Sequence, residues 1–282
     1  MKGPTENLTI KDWQYERYSF HSAVLKQELP CGFFRSKSAG PIHKTLYLFH
    51  GGGGDDAEAV QAGLLPLFAQ VLKARSLPLQ QIQFVFPFIG KSFLHAHPHS
   101  SSRSFSDYFL NDLIPVAEKK TRTSPETRFI GGWSMGGQAA LNMFLRFPER
   151  FGGVGAHFPT LIDFDYQDPT QQQAYARRQK VNGAMLQILL AGFQNEFVDR
   201  DDFLRHDPLF LARTTEASAW AGKKIYFDVG TEDEFGLSEG ARVLHEILMQ
   251  KSVIHHFEVV PHGRHDAPFL HKQIGKMLHY LF

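Results

Sequence analysis

The chain contains a single cysteine, Cys31, among its 282 residues, so no disulfide can form within it. This scarcity favours a reducing compartment, because domains that depend on disulfides carry several cysteines. The N-terminal segment Met1 to Ser22 also lacks the apolar stretch of a signal peptide and contains Asp12, Glu16 and Arg17 instead. We therefore expect a cytoplasmic protein.

The sequence shows no excess of charge of one sign, because 30 basic and 29 acidic residues leave a formal net charge of +1. We therefore expect neither a nucleic-acid partner nor a membrane partner. No segment approaches the ~18 consecutive apolar residues of a membrane-spanning helix. Hydrophobic residues still make up 43% of the chain, which is enough for one sizeable core.

Short apolar runs alternate with amphipathic helical stretches along most of the chain. This alternation predicts an α/β fold with a mostly parallel central sheet and helices on both faces. We expect two antiparallel edge strands and then six buried strands, namely Trp13–His21, Ala23–Leu29, Thr45–Phe49, Phe84–Phe86, Arg128–Gly132, Val154–His157, Ile225–Val229 and Phe257–Val260. Apolar stripes at helical spacing occupy residues 105–116, 139–147, 243–248 and 269–281.

The region 159–222 departs from this rhythm, because it contains no clear strand and is rich in Gln, Asp and Arg. A helix-like run occurs within it at Met185–Phe193. An insertion at this point of the chain would lie above the ends of the strands. We therefore expect a single domain, residues 1–282, that carries a small cap built from the insertion.

Ser134 lies in the pentapeptide Gly132–Gly136 (GWSMG), directly after the predicted strand Arg128–Gly132 and before a helical stripe. A G-x-S-x-G motif in this context is typical of the sharp strand-to-helix turn that presents a nucleophilic serine. The glycines leave room for strained backbone angles at the serine. A phosphate-binding loop would need a lysine after the last glycine, where Gln138 stands instead.

A serine hydroxyl needs a base to become a good nucleophile, and the base needs an acid that orients it. In α/β folds that present a nucleophilic serine on a G-x-S-x-G turn, the acid and then the histidine follow the serine along the chain. Asp233 comes just after the predicted strand Ile225–Val229, where a loop can present a carboxylate. Asp228, inside that strand, and Glu232 are the rival candidates.

The chain contains 15 histidines, so the mere presence of a histidine near a motif is weak evidence for a base. Position favours His265, because it follows the last predicted strand, Phe257–Val260, in a loop that can return to the strand ends. His262 lies in the same loop and is the competitor. The expected catalytic triad is therefore Ser134, Asp233 and His265.

A run of four glycines follows the predicted strand Thr45–Phe49 and its next residue, His50. Such a run offers backbone N–H groups that no side chain obstructs, as an oxyanion hole requires. We expect one donor at the amide of Met135, the residue after the nucleophile. The other donor is expected at Gly52, with Gly51 as the less favoured alternative.

Two side chains beside these motifs are predicted to bind substrate: Trp133 before the serine and His50 before the glycine run. The stretch His95–His99 (HAHPH) resembles a metal cluster, but Pro98 interrupts any regular element and no nearby aspartate completes a zinc motif. We interpret it as a polar loop at the rim of the active site, with substrate contact and metal binding as less favoured alternatives. No metal and no cofactor is expected.

Four segments of the chain together resemble a known family. They are residues 48–54 (LFHGGGG), 132–137 (GWSMGG), 230–233 (GTED) and 263–266 (GRHD). They are similar to the esterase family of the α/β-hydrolase superfamily that includes S-formylglutathione hydrolase (esterase D), feruloyl and acetylxylan esterases, enterochelin esterases and the mycolyltransferases. The resemblance extends from Thr45 to the C-terminus and is weaker at Trp133 and in the 159–222 insertion. It implies an α/β-hydrolase fold and the triad of Ser134, Asp233 and His265.

These features together predict a serine carboxylesterase that hydrolyses small or carbohydrate-linked esters through an acyl-enzyme, with thioesters as a further substrate class. The expected partner is a small-molecule ester. Two alternatives share the same fold. One is an acyltransferase that uses the same triad, and the other is a binding protein that keeps the fold without catalysis.

Overall fold

A nine-stranded sheet runs through the computed structural model, which describes residues 4–37, 40–73 and 81–282. The strands are β1 (Glu6–Ile10), β2 (Trp13–Ser22), β3 (Gln27–Ser36), β4 (Lys44–Phe49), β5 (Ile82–Pro87), β6 (Arg128–Trp133), β7 (Gly153–His157), β8 (Lys224–Gly230) and β9 (His256–Val260). Their order across the sheet is β1-β2-β3-β5-β4-β6-β7-β8-β9. The pairs that involve β1, β2 or β3 are antiparallel, and all other pairs are parallel.

Helices connect the parallel strands. Within the described residues they are α1 (Glu58–Gln61), α2 (Leu64–Lys73), α3 (Phe105–Asp107), α4 (Ile114–Glu118), α5 (Met135–Arg146), α6 (Pro169–Gln179), α7 (Gly183–Glu196), α8 (Arg200–Leu204), α9 (Pro208–Thr214), α10 (Ser238–Gln250) and α11 (Ala267–Leu281). A π-helical stretch, Tyr108–Leu113, joins α3 to α4. None of the described helices combines the length and the apolar character that crossing a bilayer demands.

The middle of the sheet is buried on both faces. Every residue of β5, β6 and β7 is buried, which explains why these strands appear in the sequence as continuous apolar runs without alternation. Helix α5 packs into the same core, with eleven of its twelve residues buried. The turn between β6 and α5 is therefore fixed from both sides.

The predicted α/β class and the six predicted strands of the parallel part of the sheet are confirmed, each strand to within two residues at either end. The predicted burial was wrong for β9, which lies at the edge of the sheet and is only half-buried. The bounds of the predicted edge strand Ala23–Leu29 were wrong. Its first four residues form a turn, and β3 begins only at Gln27. The carboxylate of Asp112 explains the turn, because it accepts the amide of Val24 at 3.0 Å, while Lys26 adopts a φ of 55°. The short, polar β1 was not predicted.

The region 159–222 contains α6 to α9 and no strand, and the predicted helical run Met185–Phe193 lies inside α7. A polar side chain at each helix start accepts backbone N–H groups of the first turn, which satisfies donors that a helix leaves unpaired. These capping residues are Asp168, Asn182, Asp199 and Asp207. The polar composition of the region is thus explained in part by its helix caps.

Candidate active site

Ser134 occupies the turn between β6 and α5, with a φ of 55° and a ψ of −124°. A positive φ is strained for a residue that carries a side chain, and such strain is common at active sites. Close backbone packing enforces it, because a Cβ on either Gly132 or Gly136 would collide with the carbonyl oxygen of Phe49 in β4. The two glycines of the motif are therefore required by the contact between β4 and the turn.

His265 reaches Ser134 from the loop that follows β9, and Asp233 reaches His265 from the loop that follows β8. Nε2 of His265 lies 2.9 Å from Oγ of Ser134, and Nδ1 lies 2.8 Å from Oδ2 of Asp233. Because an ionised carboxylate can only accept, Nδ1 carries the proton and Nε2 is left to accept one from the hydroxyl. The side chain of Asp233 is 1% exposed and that of His265 is 12% exposed. The three groups can thus act as nucleophile, base and orienting acid.

Neighbouring groups hold the aspartate and the histidine in place. Oδ1 of Asp233 accepts the amide of Phe235 at 2.9 Å. The amide of His265 donates to Oε2 of Glu234 at 3.0 Å. The rings of Phe158 and Phe235 pack against the imidazole, with centroids 4.2 and 4.8 Å away. The imidazole is therefore fixed by hydrogen bonds at its edge and by aromatic rings at its sides.

The rival candidates have other partners. Glu232 and His262 pair with each other at 2.7 Å at the surface, where both are exposed. Asp228 is fully buried, lies 2.9 Å from Nδ1 of His157 and accepts the hydroxyl of Tyr226 at 2.7 Å. These pairings account for both rival carboxylates, and neither pairing involves the serine.

The glycine run lies beside the start of α5. A Cβ on Gly52 would come within 3.8 Å of Cβ of Met135, so the two residues adjoin. Met135 supplies the first amide of α5, which has no acceptor inside the helix and lies at its electropositive end. The amide of Gly51 differs, because it donates to Oε2 of Glu58 at 2.7 Å. The amides of Gly52 and Met135 therefore remain available to an oxyanion, whereas that of Gly51 does not.

The prediction that His50 binds substrate was wrong. Its side chain is buried, Nδ1 donates to the carbonyl of Gly51 at 2.9 Å, and Nε2 accepts the amide of Ile89 at 3.1 Å. Burial also lowers the pKa of His50. The neutral ring ties the glycine run to the loop after β5, and it is not among the described residues that line the cavity.

A cavity of about 760 Å³ opens at Ser134. Trp133 lines it, and so do residues of α7. The lining is mainly apolar, and its large apolar side chains include Phe93, Trp133, Phe158, Ile188, Phe235 and Leu270. A pocket of this volume accommodates a small organic ester.

The prediction that residues 95–99 form a polar rim loop was wrong for His95, which is fully buried. Its Nδ1 lies 3.1 Å from Oε1 of Glu196 at the end of α7, and its Nε2 lies 3.0 Å from Oδ1 of Asp202 in α8. The two carboxylates replace water as partners of the ring. His99, farther along the loop, is exposed as expected.

His95, Asp202 and His206 bring three ligand atoms within 4.8 Å of one another in a buried cluster. However, Nδ1 of His206 donates to the carbonyl of Asp202 at 2.8 Å, and its Nε2 accepts the amide of Ala96 at 3.2 Å. Burial lowers the pKa of this imidazole to about 3, in keeping with a neutral ring. One imidazole nitrogen and one carboxylate remain, fewer than the three protein ligands of a catalytic zinc site. We interpret the cluster as a hydrogen-bonded network that ties α8 to the loop after β5.

Several side chains at the cavity were not predicted from the sequence, Phe158, Phe235 and Glu58 among them. Phe158 and Phe235 follow β7 and β8, and their position after strand ends was a usable signal, because ligands of parallel sheets bind there. Glu58 lies in the first turn of α1, where an acidic residue is ordinarily explained by the helix dipole. Local sequence thus gave no reason to connect Glu58 with the site.

The sheet order, the serine turn and the cavity define an α/β-hydrolase. The family described as "Putative esterase" matches residues 83–275. The chain belongs to this esterase family, as its motifs indicated.

Individual relatives agree with this assignment. An acetyl esterase of Caldicellulosiruptor saccharolyticus is 24% identical over 277 residues, which cover 92% of this chain and 91% of the relative. The solved structure of a ferulic acid esterase covers 96% of this chain and 98% of its own with a TM-score of 0.73 and 18% identity. An S-formylglutathione hydrolase from Agrobacterium tumefaciens covers 99% and 100%, with a TM-score of 0.74 and 16% identity. At these identities the two structures establish the common fold.

Proposed function

We propose that the chain is a carboxylesterase in which Ser134 is the nucleophile, His265 the general base and Asp233 the orienting acid. The observation that carries the proposal is a pair of consecutive hydrogen bonds, 2.9 Å from Ser134 to His265 and 2.8 Å from His265 to Asp233. Both Ser134 and His265 line an apolar cavity. Membership of an esterase family supports the same reaction.

In the first half of the reaction, Oγ of Ser134 attacks the ester carbonyl while Nε2 of His265 takes the hydroxyl proton. Asp233 stabilises the imidazolium that results. The amides of Gly52 and Met135 stabilise the oxyanion of the tetrahedral intermediate, each by on the order of 3 kcal/mol. Collapse of the intermediate breaks the bond to the alcohol, which leaves with the proton from the histidine.

In the second half, water attacks the acyl-enzyme carbonyl and His265 takes a proton from that water. Collapse of the second intermediate returns the proton to Oγ of Ser134 and releases the carboxylic acid. The residues present account for every proton transfer, so the proposed mechanism calls for no cofactor.

The proposed substrates are small or carbohydrate-linked esters, with thioesters as a further class. An apolar cavity of about 760 Å³ can hold either a short or an aromatic acyl group. The names of an acetyl esterase and a ferulic acid esterase among the similar proteins are in keeping with both sizes. A thioester carbonyl is open to the same attack by Ser134.

We further propose that the insertion 159–222 is a cap on a single domain, residues 1–282. Helix α7 contributes part of the cavity wall, and its Phe193 stacks on Phe93 with centroids 5.3 Å apart. Helix α6 is fastened nearby, because the hydroxyl of Tyr175 donates to the carbonyl of Phe235 at 2.6 Å. The cap thereby sets the size of the acyl group that can bind.

We propose the cytoplasm as the place of action. Cys31 is buried and unpaired, as is usual in a reducing compartment. The formal net charge of +1 provides no field that would draw the enzyme to nucleic acid or to an anionic membrane. The proposed partner is therefore a small-molecule ester alone.

A fluorophosphonate probe tests the proposed nucleophile. We expect stoichiometric labelling, with the modified peptide mapped by mass spectrometry to Ser134. A panel of p-nitrophenyl esters of increasing chain length, together with methyl ferulate and S-formylglutathione, would then rank the substrates. Labelling at another serine, or no labelling of the folded protein, would contradict the proposal.

A further inference from the structure

Glu58 in α1 makes two hydrogen bonds beside Ser134 that the triad does not explain. Its Oε2 accepts the amide N–H of Gly51 at 2.7 Å and the indole N–H of Trp133 at 2.9 Å. One carboxylate oxygen therefore joins the glycine run after β4 to the last residue of β6. Hydrogen bonds to an ionised acceptor are among the stronger ones in proteins.

The residues that Glu58 holds lie within two positions of the available oxyanion donors in the chain. Gly51 precedes Gly52 in the chain, and Trp133 is two residues before Met135. Gly51 packs closely against both Trp133 and Glu58, because a Cβ on Gly51 would lie 3.4 Å from Cδ1 of Trp133 and 3.6 Å from Oε1 of Glu58. The carboxylate thus fixes both sides of the gap between the two donors.

The glycine run needs such a restraint. Glycine has the widest range of backbone angles, so a run of four would sample many orientations of its amides. Glu58 fixes the amide on one side of the Gly51 Cα, while Nδ1 of His50 holds the Gly51 carbonyl on the other side at 2.9 Å. That carbonyl shares its peptide plane with the amide of Gly52, so the two bonds together fix the orientation of this amide. On the other side, Trp133 is 3% exposed and closely packed, which gives the carboxylate a rigid second anchor.

We propose that Glu58 is a positioning residue of the oxyanion hole, which holds the amide of Gly52 at the distance and angle that the oxyanion requires. The inference rests on the proposed role of Ser134 as nucleophile. Glu58 acts through Gly51 and Trp133 and exchanges no proton with the substrate. An oxyanion exists only in the transition state and intermediates, so loss of this support lowers kcat and leaves KM nearly unchanged.

Two variants separate positioning from proton transfer. Glu58→Ala removes the acceptor, and we expect kcat for p-nitrophenyl acetate to fall by about 10- to 100-fold, less than for outright loss of an oxyanion donor. Glu58→Gln retains an amide oxygen that can accept both N–H groups, so we expect it to recover most of kcat. Gln61→Ala, at an exposed position of the same helix, is the matched control and should match the wild type.

A boronic acid inhibitor gives a readout that loss of folded protein cannot imitate. Its tetrahedral adduct with Ser134 places an oxygen in the oxyanion hole, so its affinity should fall in Glu58→Ala in parallel with kcat, at unchanged far-UV circular dichroism. The variant Trp133→Phe removes only the hydrogen bond from the indole to Glu58, so it should weaken binding of the boronic acid less than Glu58→Ala does. The double variant should bind the inhibitor about as weakly as Glu58→Ala alone, because Glu58→Ala already removes that hydrogen bond.

Three results would overturn the inference. They are wild-type kcat in Glu58→Ala, a Glu58→Gln variant as impaired as the alanine variant, or unchanged boronic acid affinity in Glu58→Ala. The variant Ser134→Ala distinguishes this failure from failure of the proposed function. If Ser134→Ala is inactive while Glu58→Ala is fully active, only the role of Glu58 is refuted. If Ser134→Ala is active, the proposed function fails.

Discussion

Nε2 of His265 lies 2.9 Å from Oγ of Ser134, although 131 residues separate the two in the chain. The sheet makes this contact possible, because β6, β7, β8 and β9 are neighbours in that order and run parallel. Loops that leave the carboxyl ends of parallel strands meet at one edge of the sheet. The serine follows β6 and the histidine follows β9, so both arrive at this edge.

Replacing the orienting acid should disable the enzyme without unfolding it. We expect Asp233→Asn to lower kcat for p-nitrophenyl acetate by ~10³- to 10⁴-fold, because an amide in this position favours the wrong tautomer of His265. The control is Glu232→Gln, an adjacent exposed acid that pairs with His262. Steady-state kinetics should show the control unchanged. A larger loss in Glu232→Gln than in Asp233→Asn would reverse our assignment of the acid.

The size of the acyl group should depend on α7. A Cβ on Gly192 would lie 3.6 Å from Cζ of Phe93, so alanine fits at this position while leucine projects into the cavity. We expect Gly192→Leu to raise KM for p-nitrophenyl octanoate by about tenfold, the effect of ~1.4 kcal/mol of lost binding, and to spare the acetate ester.

Gly192→Ala is the matched control for this prediction. It should leave both KM values unchanged and raise the free energy of unfolding by about 0.5 to 1 kcal/mol, because alanine is favoured over glycine inside a helix. Equal effects of Gly192→Leu on the two esters would show that α7 does not select the acyl group.

Acid should destabilise the fold partly through His206. Burial lowers the pKa of His206 from 6.5 to about 3, so the unfolded chain binds a proton in this range that the folded chain does not. Stability therefore falls as the pH falls from 6.5 towards 3, and this residue accounts for about 3 kcal/mol of the loss between pH 7 and pH 4.

The variant His206→Gln should have a flatter dependence of unfolding free energy on pH, measured by urea denaturation at several pH values. Asp207, whose pKa burial raises to about 6, titrates in both proteins, so their difference isolates the histidine. His99→Gln, an exposed position in the loop that His206 contacts, is the control. Parallel pH profiles for the wild type and His206→Gln would contradict the prediction.

The buried cluster around His95 should be structural and independent of metal. Dialysis against EDTA should leave the Tm and the esterase activity unchanged, because hydrogen bonds already occupy both nitrogens of His206. In contrast, His95→Ala should lower the free energy of unfolding by about 3 to 5 kcal/mol, because it leaves Glu196 and Asp202 without their buried partner. A fall in Tm on chelation that zinc restores would show a metal site instead.

Much of the fold could be predicted because its signals are local. Apolar runs mark the buried strands, and the residues that follow them, such as Ser134 and His265, are expected at the edge of the sheet. The errors concern partners that lie far away in the chain. His50 bonds a residue 39 positions on, and His95 bonds one 101 positions on, so neither partner could be inferred from neighbouring sequence.

Gly51 shows the same limit over a shorter distance. Its amide donates to Glu58, only 7 residues away, yet nothing in the sequence shows that α1 turns this carboxylate back towards the glycine run. A list of glycines can identify an oxyanion loop, but it cannot say which amide is already engaged. That choice depends on tertiary contacts.

The kcat/KM of Ser134→Ala for p-nitrophenyl acetate tests the central claim most directly. The exposed Ser102→Ala variant is the control, and circular dichroism verifies that both variants are folded. If Ser134 is the nucleophile, its replacement should lower kcat/KM by ~10⁴-fold or more and abolish fluorophosphonate labelling, while Ser102→Ala behaves as the wild type. Full esterase activity in folded Ser134→Ala would contradict the assignment.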